Sequence, residues 1–338
     1  MNIRIIAKAC DVSPSTVSRI LNNKPDVNPE TRKKVIETMD EMGFRPSLVS
    51  GNHESIGIIT PQVIFTEFMG ELLIAIMETA YSINKNLTLI PIGGEGLREG
   101  ENITHFCRQR GLSGIIMIAP PIESKLPQQL SETDIPHVIV AGTYKEKNIS
   151  WVDVDNTGGV DEAITYLMES GHRRVALINS KLYTQCLKDR VDGYYKAHKR
   201  YEIEPDPNII FETVDAGMNL SDVVGYLVKS PNPPTAIFCT TYRDSISVLN
   251  QLQKEGVKVP EEISVAGFGD YQVSPYTNPP MTTVHQPIYE MGRSAINLFN
   301  EIRNGDRREN KYEMLSTKLM IRDSTRALNK SEITGEDV

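Results

Sequence analysis

Residues 9–35 read ACDVSPSTVSRILNNKPDVNPETRKKV. Ser13 is a good helix N-cap, and Pro14 suits the first helical position, where its missing N–H costs nothing. The spacing predicts a short helix from Pro14 to Asn22. At 3.6 residues per turn Val17, Ile20 and Leu21 share one face, and Ser15, Ser18, Arg19 and Asn22 share the other. Upstream, Ile3, Ile6, Ala9 and Cys10 lie at helical spacing, and Asp11 tolerates the turn that separates the two helices. Downstream, Asn28 is placed to cap a third helix with Pro29 and Glu30 in its first turn. Val35, Ile36, Met39 and Met42 form its predicted apolar stripe, and Gly43 ends it.

Three short helices, the first two joined by a tight turn, suggest a helix-turn-helix. A recognition helix is apolar toward its own small core. On the other side it carries short donors and acceptors that let the backbone approach DNA. Arg19 has the fork that matches a guanine edge, and a helix N-terminus favours phosphate. Helix pattern alone also fits a small amphipathic cap with a solvated polar face.

The charge is unevenly spread. Residues 1–50 hold 8 Lys+Arg against 6 Asp+Glu, whereas the whole chain holds 36 against 44, so the rest of the chain carries −10. A mildly basic head on an acidic body is a charge asymmetry that calls for an explanation. With 338 residues, 39% hydrophobic and 24% charged, the chain is long enough for more than one globular core. No apolar run reaches membrane-spanning length and no signal segment opens the chain, so a cytoplasmic protein is expected. Cys10, Cys107, Cys186 and Cys239 are far apart, which reads as buried free thiols rather than a metal or disulfide set.

Residues 5–46, IIAKACDVSPSTVSRILNNKPDVNPETRKKVIETMDEMGFRP, resemble the DNA-binding head of the LacI/GalR family of bacterial regulators. The family run V-S-x-x-T-V-S-R-x-L-N is matched by Val12, Ser13, Thr16, Val17, Ser18, Arg19, Leu21 and Asn22, and its V-x-x-x-T-R by Val27, Thr31 and Arg32. The resemblance implies that Pro14, Ser15 and Arg19 face bases, and that Ser13, Thr16, Ser18, Asn22 and Thr31 face phosphates. In the family a hinge helix follows, ending in A-R-x-L, whose leucine wedges into the minor groove. Here the stretch FRPSLVSGNHESIG (44–57) is shorter, has no A-R-x-L, and leaves Leu48 and Val49 as the available wedges. A plain flexible tether fits it as well.

From Ile56 onward short β-rich runs alternate with helical stretches: IGIIT, LTLIPI, GIIMI and HVIVAG, then RRVALI, TAIFC, ISVAGFG and MTTVHQP. Such alternation predicts parallel sheets covered on both faces, and two sets predict two subdomains with a ligand cleft between them. Residues 155–178, 257–270 and 278–298 resemble the family's effector core, which is similar to periplasmic sugar-binding proteins. The resemblance implies three chain crossings between subdomains, near Val154, near Val284 and around Tyr312 to Leu315.

In LKDRVDGYY (187–195), Arg190 stands where the family keeps an arginine that grips the effector; its other expected role is an interdomain salt bridge. Three family positions differ: Thr241 and Tyr242 replace Asn and Asp, GFGD leaves only Asp270, and Ala141 stands where Asp is frequent. Gln62 and Phe65 are further lining candidates. Fewer acids around Arg190 incline the reading toward an acidic or phosphorylated sugar. Asp153, Asp155 and Asp161 are read as helix capping near Asn156 rather than a cation site, and GGEGLREG (93–100) as a loop.

The expected architecture is an all-α helix-turn-helix head (1–46), a short linker (47–55), an α/β core of two doubly wound parallel-sheet subdomains like a periplasmic binding protein (56–328), and a polar tail (329–338). The expected function is a ligand-responsive regulator, a repressor of a carbohydrate operon. It would bind double-stranded operator DNA as a homodimer, with a sugar or sugar derivative as effector and no cofactor, metal, membrane or catalytic group. The rival is a sugar-binding protein or metabolic enzyme with an accessory helical cap.

Overall fold

A computed structural model describes residues 3–21, 27–41, 55–61, 66–93, 96–98, 100–180, 184–212, 219–305 and 311–329. Asn22, Leu48, Gln62, Phe65 and the linker up to residue 54 therefore lie outside the described residues.

The head is three helices: α1 (Ile3–Cys10), α2 (Pro14–Leu21) and α3 (Pro29–Glu41). The turn after α1 forms because Asp11 takes a left-handed φ of 55° and Val12 N–H bonds back to the Ala7 carbonyl at 2.9 Å. Ile6, Ala7, Cys10, Val17, Ile20, Val35 and Met39 close one small core. Ile36 is 46% exposed, so the α3 stripe is narrower than expected. On α3, Val35 and Met39 one turn apart fill the space the other two helices leave.

The body holds two six-stranded sheets. The first is built from β1 (Ser55–Thr60), α4 (Glu67–Ser82), β2 (Asn86–Pro91), α5 (Ile103–Arg110), β3 (Leu112–Ile118), α6 (Leu126–Ser131), β4 (His137–Val140) and β5 (Trp151–Val154). The second holds α7 (Asn156–Glu169), β6 (Val175–Asn179), α8 (Gln185–Arg200), β7 (Ile210–Glu212), α9 (Leu220–Lys229), β8 (Ala236–Cys239), α10 (Tyr242–Lys254), β9 (Ser264–Phe268) and β10 (Thr282–His285). Then α11 (Ile288–Asn304) returns to the first sheet, as does β11 (Tyr312–Leu315), while β12 (Lys318–Met320) ends in the second. The strand β1 begins one residue before the expected edge of the linker.

Strand orders are β11-β5-β4-β3-β1-β2 and β12-β10-β9-β8-β6-β7. Every pairing is parallel except β10 with β12. Central strands read as unbroken apolar runs because both faces are covered. One core runs continuously through α4, α11, α7 and α8, while one further core lies on the outer face of each sheet. The helices α7 and α8 pack so closely that a Cβ on Gly193 would sit 2.5 Å from the Thr157 carbonyl oxygen. The chain crosses between subdomains three times, between β5 and α7, β10 and α11, and β11 and β12.

Among the described residues no helix is long and apolar enough to cross a membrane, and no group of His, Cys, Asp or Glu could hold a metal. All four cysteines are buried and free.

Candidate functional site

In the head, Ser13 caps α2: its Oγ accepts from Thr16 N–H at 3.1 Å and lies 2.8 Å from Thr16 Oγ1 and 2.6 Å from Ser15 Oγ. Asn28 Oδ1 caps α3, accepting from Glu30 N–H at 2.8 Å. Ser13, Pro14, Ser15 and Arg19 are exposed, Thr16, Ser18 and Thr31 half-buried, and Val17 and Ile20 buried beneath them. One helix thus presents a row of hydroxyls and a guanidinium on the side away from its core, at a terminus whose dipole favours anions.

In the body, a cavity of about 560 Å³ lies between the subdomains at the carboxyl ends of their strands. Ala119 and Ala141, which follow β3 and β4, line it with left-handed φ of 41° and 61°, so two small side chains occupy backbone turns that usually favour glycine. Arg190, 8% exposed, enters from α8. Its Nε donates to Asn156 Oδ1 at 2.9 Å, Nη1 to the Thr240 carbonyl at 2.8 Å, and Nη2 to Gln286 Oε1 at 3.2 Å. Its Cζ lies 3.8 Å from the Phe268 ring centre, a cation–π arrangement. Arg190 therefore pins the first crossing, through Asn156, to the second, through Gln286. Among the described residues it does so by hydrogen bonds to neutral groups.

Thr241 and Tyr242 both line the cavity. Thr241 caps α10, and its Oγ1 also donates to Asp244 Oδ2 at 2.7 Å. The Tyr242 ring meets Tyr271 edge to face, with centroids 4.9 Å apart. Its hydroxyl is buried; burial raises its pKa, against the pull of the Ser274 side chain beside it.

Asp270 is not among the residues that line this cavity. Its carboxylate takes a two-pronged fork from Arg322, at 2.7 Å and 3.0 Å, and a bond from Thr283 Oγ1 at 2.7 Å. Burial alone would raise its pKa, but the Arg322 fork and the Thr283 hydroxyl hold it below the usual carboxylate range. Asp270 is a strut between the end of β9 and the segment after β12.

Sequence reasoning missed Asp153 as a residue of the cavity wall. Asp155 does cap α7, accepting from Gly158 N–H at 2.7 Å, and Asp161 pairs with Lys196 and Arg200. Asp153 is 1% exposed; its Oδ1 accepts from Val154 N–H at 2.7 Å and Asn156 Nδ2 at 3.2 Å. Its Oδ2 has no partner among the described residues. Burial pushes its pKa up to about 7, against the pull of the Val154 amide and Arg190. The available signal was an acid near the carboxyl end of the otherwise apolar strand WVDV.

Comparison with known proteins accords with both halves. Residues 2–47 match the family model for bacterial regulatory proteins of the lacI family, and residues 164–325 match a periplasmic binding protein-like domain. The HTH-type transcriptional repressor CytR of Escherichia coli (strain K12) is 29% identical over 334 residues, 96% of each chain. The solved complex of the transcriptional regulator CelR with cellobiose superposes with a TM-score of 0.71 at 26% identity, covering 96% of this chain and 99% of that one. The lac repressor dimer bound to operator and the anti-inducer ONPF shares the fold, with a TM-score of 0.73 at 21% identity over 95% and 98% of the two chains.

Proposed function

We propose that the chain is a regulator of the lacI family, whose model its residues 2–47 match, and that it is a homodimeric repressor of a carbohydrate operon, controlled by a sugar derivative in the interdomain cleft. It is a ligand-responsive regulator, not an enzyme. Each head reads one half-site of a pseudo-palindromic operator, and the dimer supplies the two-fold symmetry. Ser15, Pro14 and Arg19 contact base edges, while Ser13, Thr16, Ser18, Asn22 and Thr31 contact phosphates. Leu48 is the linker's candidate minor-groove wedge. A cytoplasmic setting follows from a DNA partner.

The observation that supports this reading best is the pairing of two built surfaces on one chain. One is a capped, hydroxyl-lined helix over a closed core; the other is a cleft whose two halves are pinned by one arginine across two crossings. An effector that binds one cleft opening better than the other shifts the population of that state by its differential affinity. That shift is the coupling a regulator needs.

The experiment is a duplex-binding titration of the intact chain and of residues 56–338 at several salt concentrations. The expected result is binding by the intact chain that weakens steeply with salt and is absent from the truncated form. Salt-independent or equal binding by both would overturn the reading. Sedimentation of the intact chain as a dimer is the matching expectation for assembly.

A further inference from the structure

The end of the first subdomain that receives the linker is a basic face on an acidic body. Ser55 opens β1 in register with Asn86 at the start of β2 and Leu112 at the start of β3, and its carbonyl accepts from Ser113 Oγ at 3.1 Å. Lys85 immediately precedes Asn86, and Arg110 lies two residues before Leu112, so both flank the point where the linker enters. Arg108 shares the last turn of α5 with Arg110, and both are exposed. Arg303, in the last turn of α11, is at the same end, because α11 finishes just before β11 and β11 runs parallel to the other strands. The acids of this end are Glu132 and Asp134 after α6, and Glu301, which Lys311 engages at 3.1 Å. Among the described residues no acidic group pairs with Arg108 or Arg110. The surroundings differ: residues 51–338 hold 28 Lys+Arg against 38 Asp+Glu, and at helix ends of the second subdomain Lys229 pairs with Glu255 and Arg200 with Asp161.

Resting on the reading of the head as a DNA reader, we propose that this basic end of the body is a second, sequence-independent contact to the same duplex, with Arg108 and Arg110 on backbone phosphates. The tether makes the partner local. Residues 42–54 join Glu41 of α3 to Ser55 of β1, and a stretch of that length spans at most about 45–50 Å when fully extended. DNA held by the head is therefore kept near this end of the body rather than the cleft end. A guanidinium fork matches phosphate oxygens with two parallel bonds. The Arg110 Cζ lies 4.5 Å from the Phe106 ring centre, which holds the side chain on the surface and lowers the entropy lost when it meets a phosphate. Basic residues in a last turn also complement the helix dipole, and that role alone would be shared by Lys199 at the end of α8 and Lys254 at the end of α10. Phosphate contacts carry no base information, so the head sets the sequence while the body adds affinity and salt dependence. A cleft state that tilts the first subdomain then alters a DNA contact directly.

The probe is a duplex selected by the full chain from a randomised library, titrated with full-length protein at several salt concentrations. Arg108→Gln with Arg110→Gln removes two charges from this end. Lys199→Gln with Lys254→Gln removes two from helix ends of the second subdomain. For the first pair the slope of log affinity against log salt should shrink by about 1.8, with binding about ten-fold or more weaker at about 0.1 M salt and base preferences unchanged. The second pair should keep the parent slope and an affinity within about two-fold, and Arg108→Lys with Arg110→Lys should keep most of both. Arg108→Gln alone leaves the Arg110–Phe106 contact in place and should shrink the slope by about 0.9, a readout that survives if the double variant folds poorly. An unchanged slope on loss of Arg108 and Arg110, or an equal change in both pairs, overturns the proposal. A parent chain that binds no duplex overturns the reading of the head as well, whereas a parent that binds with a slope indifferent to Arg108 and Arg110 overturns this surface alone.

Discussion

Asp153 and Arg190 face one cavity from opposite subdomains and are joined by a single amide: Asn156 donates to Asp153 Oδ1 at 3.2 Å and accepts from Arg190 Nε at 2.9 Å. The acid ends the last β–α unit before the first crossing, the arginine rises from the second subdomain, and the amide sits on the crossing itself. A ligand touching either end therefore acts on the joint between subdomains. Arg190→Ala would leave Asn156 Oδ1, the Thr240 carbonyl and Gln286 Oε1 short of a donor in a buried place. The expected cost is about 3 kcal/mol of stability, with effector binding lost as well. Arg190→Lys should keep the charge but recover only part of the binding, since a point charge cannot serve three acceptors set around a planar fork. Chemical denaturation paired with calorimetry reads both quantities.

The buried carboxyl of Asp153 makes stability depend on pH. Its folded pKa, about 7, lies above its ordinary value near 3.8. The folded state then holds a proton that the unfolded chain releases, so the protein is destabilised as pH rises through this window. Asp153→Asn removes the titration. The variant should gain on the parent progressively from about pH 4 to pH 7, by at most about 4 kcal/mol, and hold that gain above. Urea denaturation at three pH values measures the difference; parallel curves for the two proteins across the window would contradict it.

Asp270 offers the opposite sign and a different readout. Its pKa is depressed by Arg322 and Thr283, so its contribution is present above the ordinary carboxylate range and is lost on acidification. Because the fork is partly buried, Asp270→Asn should cost about 1–3 kcal/mol. The Kd for the effector should move by less than about two-fold, well under one RT of coupling. A ten-fold loss of affinity with little loss of stability would return Asp270 to the ligand site.

At the head, Arg19→Ala should lose discrimination at one or two operator base pairs, by about 1–3 kcal/mol per contact. Equal weakening on operator and random duplex would make Arg19 a phosphate contact. Competition binding against a substitution series reads the distinction.

The legible parts were those fixed by local rules. Ser13, Asp11 and the 3.6-residue spacing of Val17 and Ile20 produce the first two helices without help from distant residues. The β–α alternation dictates two covered parallel sheets. Ile36 was misjudged because an apolar residue at the edge of a stripe is buried only if the neighbouring helices reach it. Arg190 was legible through the family pattern, although its three acceptors lie 34, 50 and 96 residues away in sequence. Asp153 and Asp270 exchanged roles for the same reason. Each sits near the end of a strand, and only the third dimension decides that one meets Arg322 while the other meets the cavity.

The last strand of each sheet, β11 and β12, and the helix α11 that covers the first sheet all come from residues 288–320. Residues 55–154 emerge from the ribosome long before them, with one edge of β5 unpaired and the inner face of α4 uncovered. At a synthesis rate of about 5–20 residues per second, that half-built sheet waits on the order of ten seconds for its partners. The body thus completes itself only once residues 288–320 have been made. A chain cut before residue 288 should yield not one good subdomain and one bad one, but two sheets with open edges and a chain that aggregates.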